Sequence, residues 1–145
     1  MKKIIIHSNP DYAIPKKNYC VSIVKNILKR HNIKTYNICI IFTSDVYVSD
    51  LKKEFFSKNQ WTDVIAFPMQ RDNNIIEGEI YISMPTAKEN ADKYNQTYGK
   101  EVARLIIHGS LHLLGYVDDT LKQKKEMSNL EEVILNETKW EDFFE

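Results

Sequence analysis

The sequence predicts an α+β fold: one domain holding a four-stranded, mostly mixed sheet packed with about five helices. Three observations carry this. Tyr36, Ile38, Ile40 and Phe42 alternate with Asn37, Cys39 and Ile41, the period of two that a pleated strand imposes. Cys20, Ile23, Val24, Ile27 and Leu28 recur at helical spacing, which makes one apolar stripe on a 3.6-residue helix. No repeat, linker or low-complexity segment divides the 145 residues, a length that buries a core without disulfides or structural metal.

Taken in order, residues 2–7 form a first strand. Its short apolar run meets polar residues at once and no small-residue cleavage site follows, so it is not a signal peptide. Ile14-Pro15 opens the first helix, with Pro15 in the first turn, where a missing N–H costs nothing. That helix closes near Arg30-His31-Asn32, where His31 is expected to act as a cation at a helix C-terminus. Residues 34–43 form the second strand. Ser49-Asp50 caps a short helix over 51–57, and residues 62–67 form a third strand ended by Pro68. A polar turn over 70–74 leads to the fourth strand, 78–83. An amphipathic helix with Ala87 and Ala91 spans 85–94, and a central helix spans 97–114. Thr120 with Gln123 fits a capping box, which opens a last helix carrying Leu121, Met127, Leu130, Val133 and Ile134.

Bulk properties narrow the function classes. The apolar fraction of 43% and charged fraction of 28% are ordinary for a globular protein. Formal net charge is +0, so any RNA contact rests on local lysines, and DNA is not expected as a partner. Cys20 and Cys39 each fall on an apolar stripe or strand, as expected of buried thiols in a reducing cytosol. No apolar run approaches membrane-spanning length, so the expected location is cytoplasmic, with no membrane partner.

The central helix carries the chemistry. His108 and His112 lie four apart and so share one helix face. Gly115 follows three residues later and suits a left-handed exit from the helix, which lets the chain double back and bring Asp118 to the imidazoles. Thr120 takes the capping duty of the next helix, which frees Asp118 from it and leaves Asp119 a helix-dipole role. Two imidazoles and a carboxylate with an open fourth position are the ligand pattern of a hydrolytic zinc site, one ion per chain. Such an ion lowers the pKa of bound water towards 7 and supports hydrolysis of a peptide or phosphodiester bond. In the long zinc signature of metzincin-type proteases the residue after the first histidine is a glutamate general base. Here it is Gly109, which argues against that protease mechanism.

The block His108-Gly-Ser-Leu-His112-Leu-Leu-Gly-Tyr116-Val117-Asp118, the strand Thr62-Asp-Val-Ile-Ala-Phe-Pro68, Gly78-Glu79-Ile80 and Glu101 together resemble the YbeY family of bacterial endoribonucleases, over nearly the whole chain. The resemblance implies a zinc-dependent, single-strand-specific endoribonuclease of ribosomal RNA processing and ribosome maturation. In it a metal-activated water hydrolyses a phosphodiester, and His108, His112 and Asp118 are both metal ligands and catalytic residues. It implies ribosomal RNA or the small ribosomal subunit as partner, with a ribosome-associated GTPase as a further candidate.

Three positions depart from the family pattern. Its third ligand is histidine where this chain has Asp118, and Glu79 stands for an aspartate. The family's Leu-Asn-x-x-Tyr-Arg is Leu51-Lys52-Lys53-Glu54-Phe55-Phe56 here, so Phe56 replaces an arginine and the phosphate-contact role shifts to Lys52 or Lys53. Lys58, Lys122, Lys124 and Lys125 are further RNA-contact candidates, and Trp61 is a candidate for stacking a base. The alternative functions are a non-catalytic, zinc-stabilised ribosome-assembly factor and, more remotely, a metalloprotease. No general base is visible in the sequence.

Overall fold

The computed structural model describes residues 2–56, 63–72 and 74–144. In chain order the elements are β1 (Lys2–Ser8), α1 (Lys17–Arg30), β2 (Thr35–Thr43), α2 (Asp45–Phe56), β3 (Val64–Arg71), β4 (Ile75–Ser83), α3 (Met84–Lys93), α4 (Tyr98–Leu113) and α5 (Leu121–Asn136), followed by a 3-10 turn at Trp140–Asp142. Among the described residues the strands form one sheet in the order β1-β2-β4-β3. β1 and β4 run parallel to β2, and β3 runs antiparallel to β4. The sheet is therefore mixed, as expected.

Its two faces differ. Ile38, Ile40, Phe42, Ile80 and Ile82 are buried with the inner stripe of α1 and the apolar side of α4 in one core. On the other face Asn37, Cys39, Ile41, Glu77, Glu79 and Tyr81 stay half-exposed. α2 covers part of that second face. Tyr47 meets Tyr81 with ring centroids 6.0 Å apart, and Phe55 meets Phe67 at 5.4 Å. α2 and α4 therefore lie on opposite sides of the sheet.

Several boundaries differ from expectation, each for a local reason. α1 starts at Lys17, so Pro15 lies ahead of the helix and not in its first turn. α2 starts at Asp45 because the Ser44 hydroxyl accepts the Tyr47 N–H at 3.1 Å; Ser49 and Asp50 then fall inside the helix. β3 continues through Pro68 to Arg71. An edge strand tolerates a residue without an N–H, and the pairing with β4 shifts between Pro68 and Gln70 as a bulge absorbs the irregularity. β4 begins at Ile75, three residues earlier than expected. On α5 the buried stripe is Met127, Glu131, Ile134 and Leu135, while Leu121 and Val133 face solvent. No described helix is long and apolar enough to cross a membrane.

Candidate metal centre

α4 is held at both ends. The Thr97 side chain accepts the Lys100 N–H at 3.2 Å. At the other end Gly115 takes φ 102°, a conformation that costs glycine little. The Gly115 N–H bonds the His112 carbonyl at 3.0 Å and the Tyr116 N–H reaches the Leu111 carbonyl at 3.1 Å. This pair is the Schellman closure of a helix, and it turns residues 116–118 back over the last turn of α4.

Packing also fixes the height of α4 above the sheet. A β-carbon on Gly109 would stand 2.6 Å from Ile80 Cγ2 and 3.1 Å from Val64 Cγ2. Position 109 therefore faces the sheet at close approach. The glutamate of the protease pattern would have no room there.

His108, His112 and Asp118 converge as the spacing predicts. The two Nε2 atoms are 3.0 Å apart, and Asp118 Oδ2 stands 3.6 Å from that of His108 and 3.7 Å from that of His112. Tetrahedral zinc with ligands at 2.0–2.1 Å separates its donors by about 3.3–3.4 Å, so the three spacings bracket that value. The tautomers fit as well. His108 Nδ1 meets the acceptor-only carboxylate of Glu131 at 2.5 Å, and His112 Nδ1 meets the Tyr116 carbonyl at 3.0 Å. Each Nδ1 must carry the proton, which leaves both Nε2 lone pairs facing each other in the neutral rings. A cation between them relieves that opposition. The residues present could therefore hold a metal ion.

Electrostatics favour a neutral His112. Burial, followed by the neighbouring His108, holds the His112 imidazole below its ordinary pKa, against the opposing pull of Asp118 and the Tyr116 carbonyl. The three side chains keep 20%, 28% and 37% of their surface exposed for His108, His112 and Asp118 respectively, so the centre opens to solvent on one side.

Behind His108 lies a network that the sequence reading missed. Glu131 is only 5% exposed; its other oxygen faces Arg104 Nη1 at 3.7 Å. Arg104 grips Glu101 through two hydrogen bonds of 2.9 and 2.7 Å and stands 3.7 Å from Asp63. Asn90 donates to both Asp63 and Glu101. These side chains join the start of β3 to α3, α4 and α5. One sequence signal was present: Glu131 occupies a core position in the α5 stripe, and a buried carboxylate requires a partner. His31 was expected to act as a cation at the C-terminus of α1. Its ring lies at that end, with Nδ1 2.9 Å from the Ile27 carbonyl, and its Nε2 lies 2.9 Å from the Tyr116 hydroxyl.

The RNA-contact candidates are scattered. Lys52 and Lys53 sit on α2, across the sheet from α4, the first half-buried and the second exposed. Lys122, Lys124 and Lys125 are exposed in the opening turns of α5, directly after the ligand loop. Lys58 and Trp61 lie outside the described residues.

Comparison with known proteins gives the family. The family model described as Endoribonuclease YbeY matches residues 7–139. The chain belongs to the YbeY family. An Endoribonuclease YbeY from Amoebophilus asiaticus is 33% identical over 124 residues, which cover 86% of this chain and 84% of that protein. One from Persephonella marina is 36% identical over 121 residues, covering 80% and 78%. The solution structure of TM1509 from Thermotoga maritima superposes with a TM-score of 0.63 at 27% identity, covering 92% of this chain and 87% of the other. Membership of YbeY makes this chain one of a family of hydrolases named for endoribonuclease activity.

Proposed function

We propose that the chain is a zinc-dependent, single-strand-specific endoribonuclease of ribosomal RNA processing, working as one domain over residues 1–145, with the catalytic centre at His108, His112 and Asp118. The observation that carries this reading is the convergence of two Nε2 atoms and one carboxylate oxygen on a single solvent-facing point in a YbeY chain.

Each residue has a defined task. Glu131 and the Tyr116 carbonyl fix the tautomers and orientation of His108 and His112, so both Nε2 atoms present lone pairs to one ion. Asp118 adds a negative charge that a divalent cation neutralises. Zinc, when bound, would supply Lewis acidity and make nearby water a stronger acid. A structural zinc site usually has four protein ligands. Here Cys20 is buried on α1 in the main core and Cys39 lies on β2, so neither supports a closed four-ligand reading. An open fourth position favours catalysis.

RNA bound at this centre would take its phosphate contacts from the exposed lysines of early α5. Lys52 and Lys53 on α2, across the sheet, are the further phosphate-contact candidates. Lysine is a flexible point charge without the arginine fork, so these contacts would position phosphate less tightly than an arginine would.

The test measures metal per chain together with cleavage of a structured RNA by wild type and His112→Ala, with casein as a control substrate. About one zinc-like ion per chain and RNA cleavage that His112→Ala abolishes are expected. Casein cleavage that His112→Ala removes, with RNA left intact, would overturn the reading. Lys52→Gln with Lys53→Gln should lower RNA affinity and flatten its salt dependence.

A further inference from the structure

We propose that His31, at the C-terminal end of α1, is a positioning residue for the metal centre, acting through the hydroxyl of Tyr116; the inference rests on the metal reading above. Its ring is oriented from one side by the α1 backbone: Nδ1 lies 2.9 Å from the Ile27 carbonyl. A carbonyl only accepts, so Nδ1 carries the proton and Nε2 is left as an acceptor. The Tyr116 hydroxyl stands 2.9 Å from that Nε2 and donates to it. The two rings meet edge-on, with centroids 5.6 Å apart and planes at 84°.

Tyr116 is thereby held at three points. Its N–H is bound to the Leu111 carbonyl at 3.1 Å, its hydroxyl to His31, and its carbonyl takes the Nδ1–H of His112 at 3.0 Å. The last of these selects the His112 tautomer whose Nε2 faces the cluster. The hydroxyl anchor also fixes the backbone two residues ahead of Asp118, which lies beyond the exposed Val117. A residue 85 positions away in sequence thus controls the aim of one imidazole and the approach of the carboxylate. Outer partners that orient metal-binding histidines typically change affinity by about 10–100-fold when removed, which sets the scale for this contact.

The experiment compares zinc affinity, by competition with a chromogenic chelator, for wild type, Tyr116→Phe, His31→Ala and the double variant. It adds ring nitrogen chemical shifts of His112 in the metal-free proteins. Tyr116→Phe removes one hydroxyl and keeps the ring and the carbonyl, so it tests the contact even where His31→Ala folds poorly. The expected result is a loss of affinity of about tenfold or more in each single variant. The double variant should lose no more than either single one, because the two side chains act through one bond. In metal-free wild type His112 should be protonated at Nδ1, and that preference should weaken in both single variants. Wild-type affinity and an unchanged tautomer in Tyr116→Phe would overturn the inference and leave the metal reading standing. Wild type that binds no zinc would overturn the metal reading, and the inference with it.

Discussion

Glu131 on α5 accepts the Nδ1–H of His108 on α4 at 2.5 Å, a polar bond between two helices. It gives the second helix a chemical role. Glu131 is buried and faces Arg104 through its other oxygen, so the carboxylate is held in place to orient the histidine ring.

Removing that carboxylate should therefore act on metal binding before it acts on the fold. Glu131→Ala is expected to weaken zinc binding by about 10–100-fold, measured by chelator competition. Glu131→Gln can still present an amide oxygen to His108 and should keep most of the affinity. Equal losses in both variants would mean that charge, and not orientation, is what Glu131 supplies.

The convergence of His108, His112 and Asp118 was legible because its geometry is local. His108 and His112 are one helical turn apart, and Gly115, whose N–H bonds the His112 carbonyl, turns the chain back directly after the helix. The supporting shell was not legible, since Glu131 is 23 residues from His108 and His31 is 85 from Tyr116; only helix packing brings them together. The start of α2 was missed for a different reason. Val46-Tyr47-Val48 is β-branched and aromatic, so its local preference is not helical, and the Ser44 cap with the complete burial of Val48 overrides that preference. Pro68 was read as a strand end because the edge position of β3, which makes it tolerable, is a property of the sheet.

The close approach of α4 to β4 makes Gly109 a packing requirement. Alanine gains about 1 kcal/mol over glycine in a helix interior. Here its β-carbon would stand 2.6 Å from Ile80 Cγ2, and overpacking of this kind costs typically 1–3 kcal/mol. Gly109→Ala should lower stability in urea unfolding, and Gly109→Ala with Ile80→Ala, which removes the Cγ2 methyl, should lose less than the sum of the two single variants. A stabilised single variant would show that helix propensity outweighs the contact.

The metal-free protein should weaken in acid. His112 is held below its ordinary value of 6.5, first by burial and then by His108. The unfolded chain thus takes up a proton at a pH where the folded chain still resists it. The stability that the neutral ring contributes is full above about pH 6.5 and is lost as pH falls below that value. The melting temperature should fall on acidification from about pH 7 to about pH 5, and His112→Gln should flatten the fall. An equally steep fall in His112→Gln would assign it to other groups.

Asp118 and Asp119 are adjacent, and the structure gives them different surroundings. Asp118 Oδ2 stands 3.6 and 3.7 Å from the two histidine Nε2 atoms. Asp119 gives its backbone N–H to Gln123 Oε1 at 3.1 Å, just before the capping box in which the Thr120 hydroxyl accepts the Gln123 N–H. With the cap supplied by Thr120, the Asp119 carboxylate is left to interact with the positive end of α5, worth about 0.3–1 kcal/mol. Asp118→Ala should therefore lose most of the bound metal, while Asp119→Ala should shift stability slightly and keep the metal. Asp118→His offers a neutral donor in place of the carboxylate, so metal should remain bound with one negative charge fewer beside the substrate phosphate. Elemental analysis of the three variants decides the matter. Metal lost from Asp119→Ala and retained in Asp118→Ala would put the ligand one residue further along the loop.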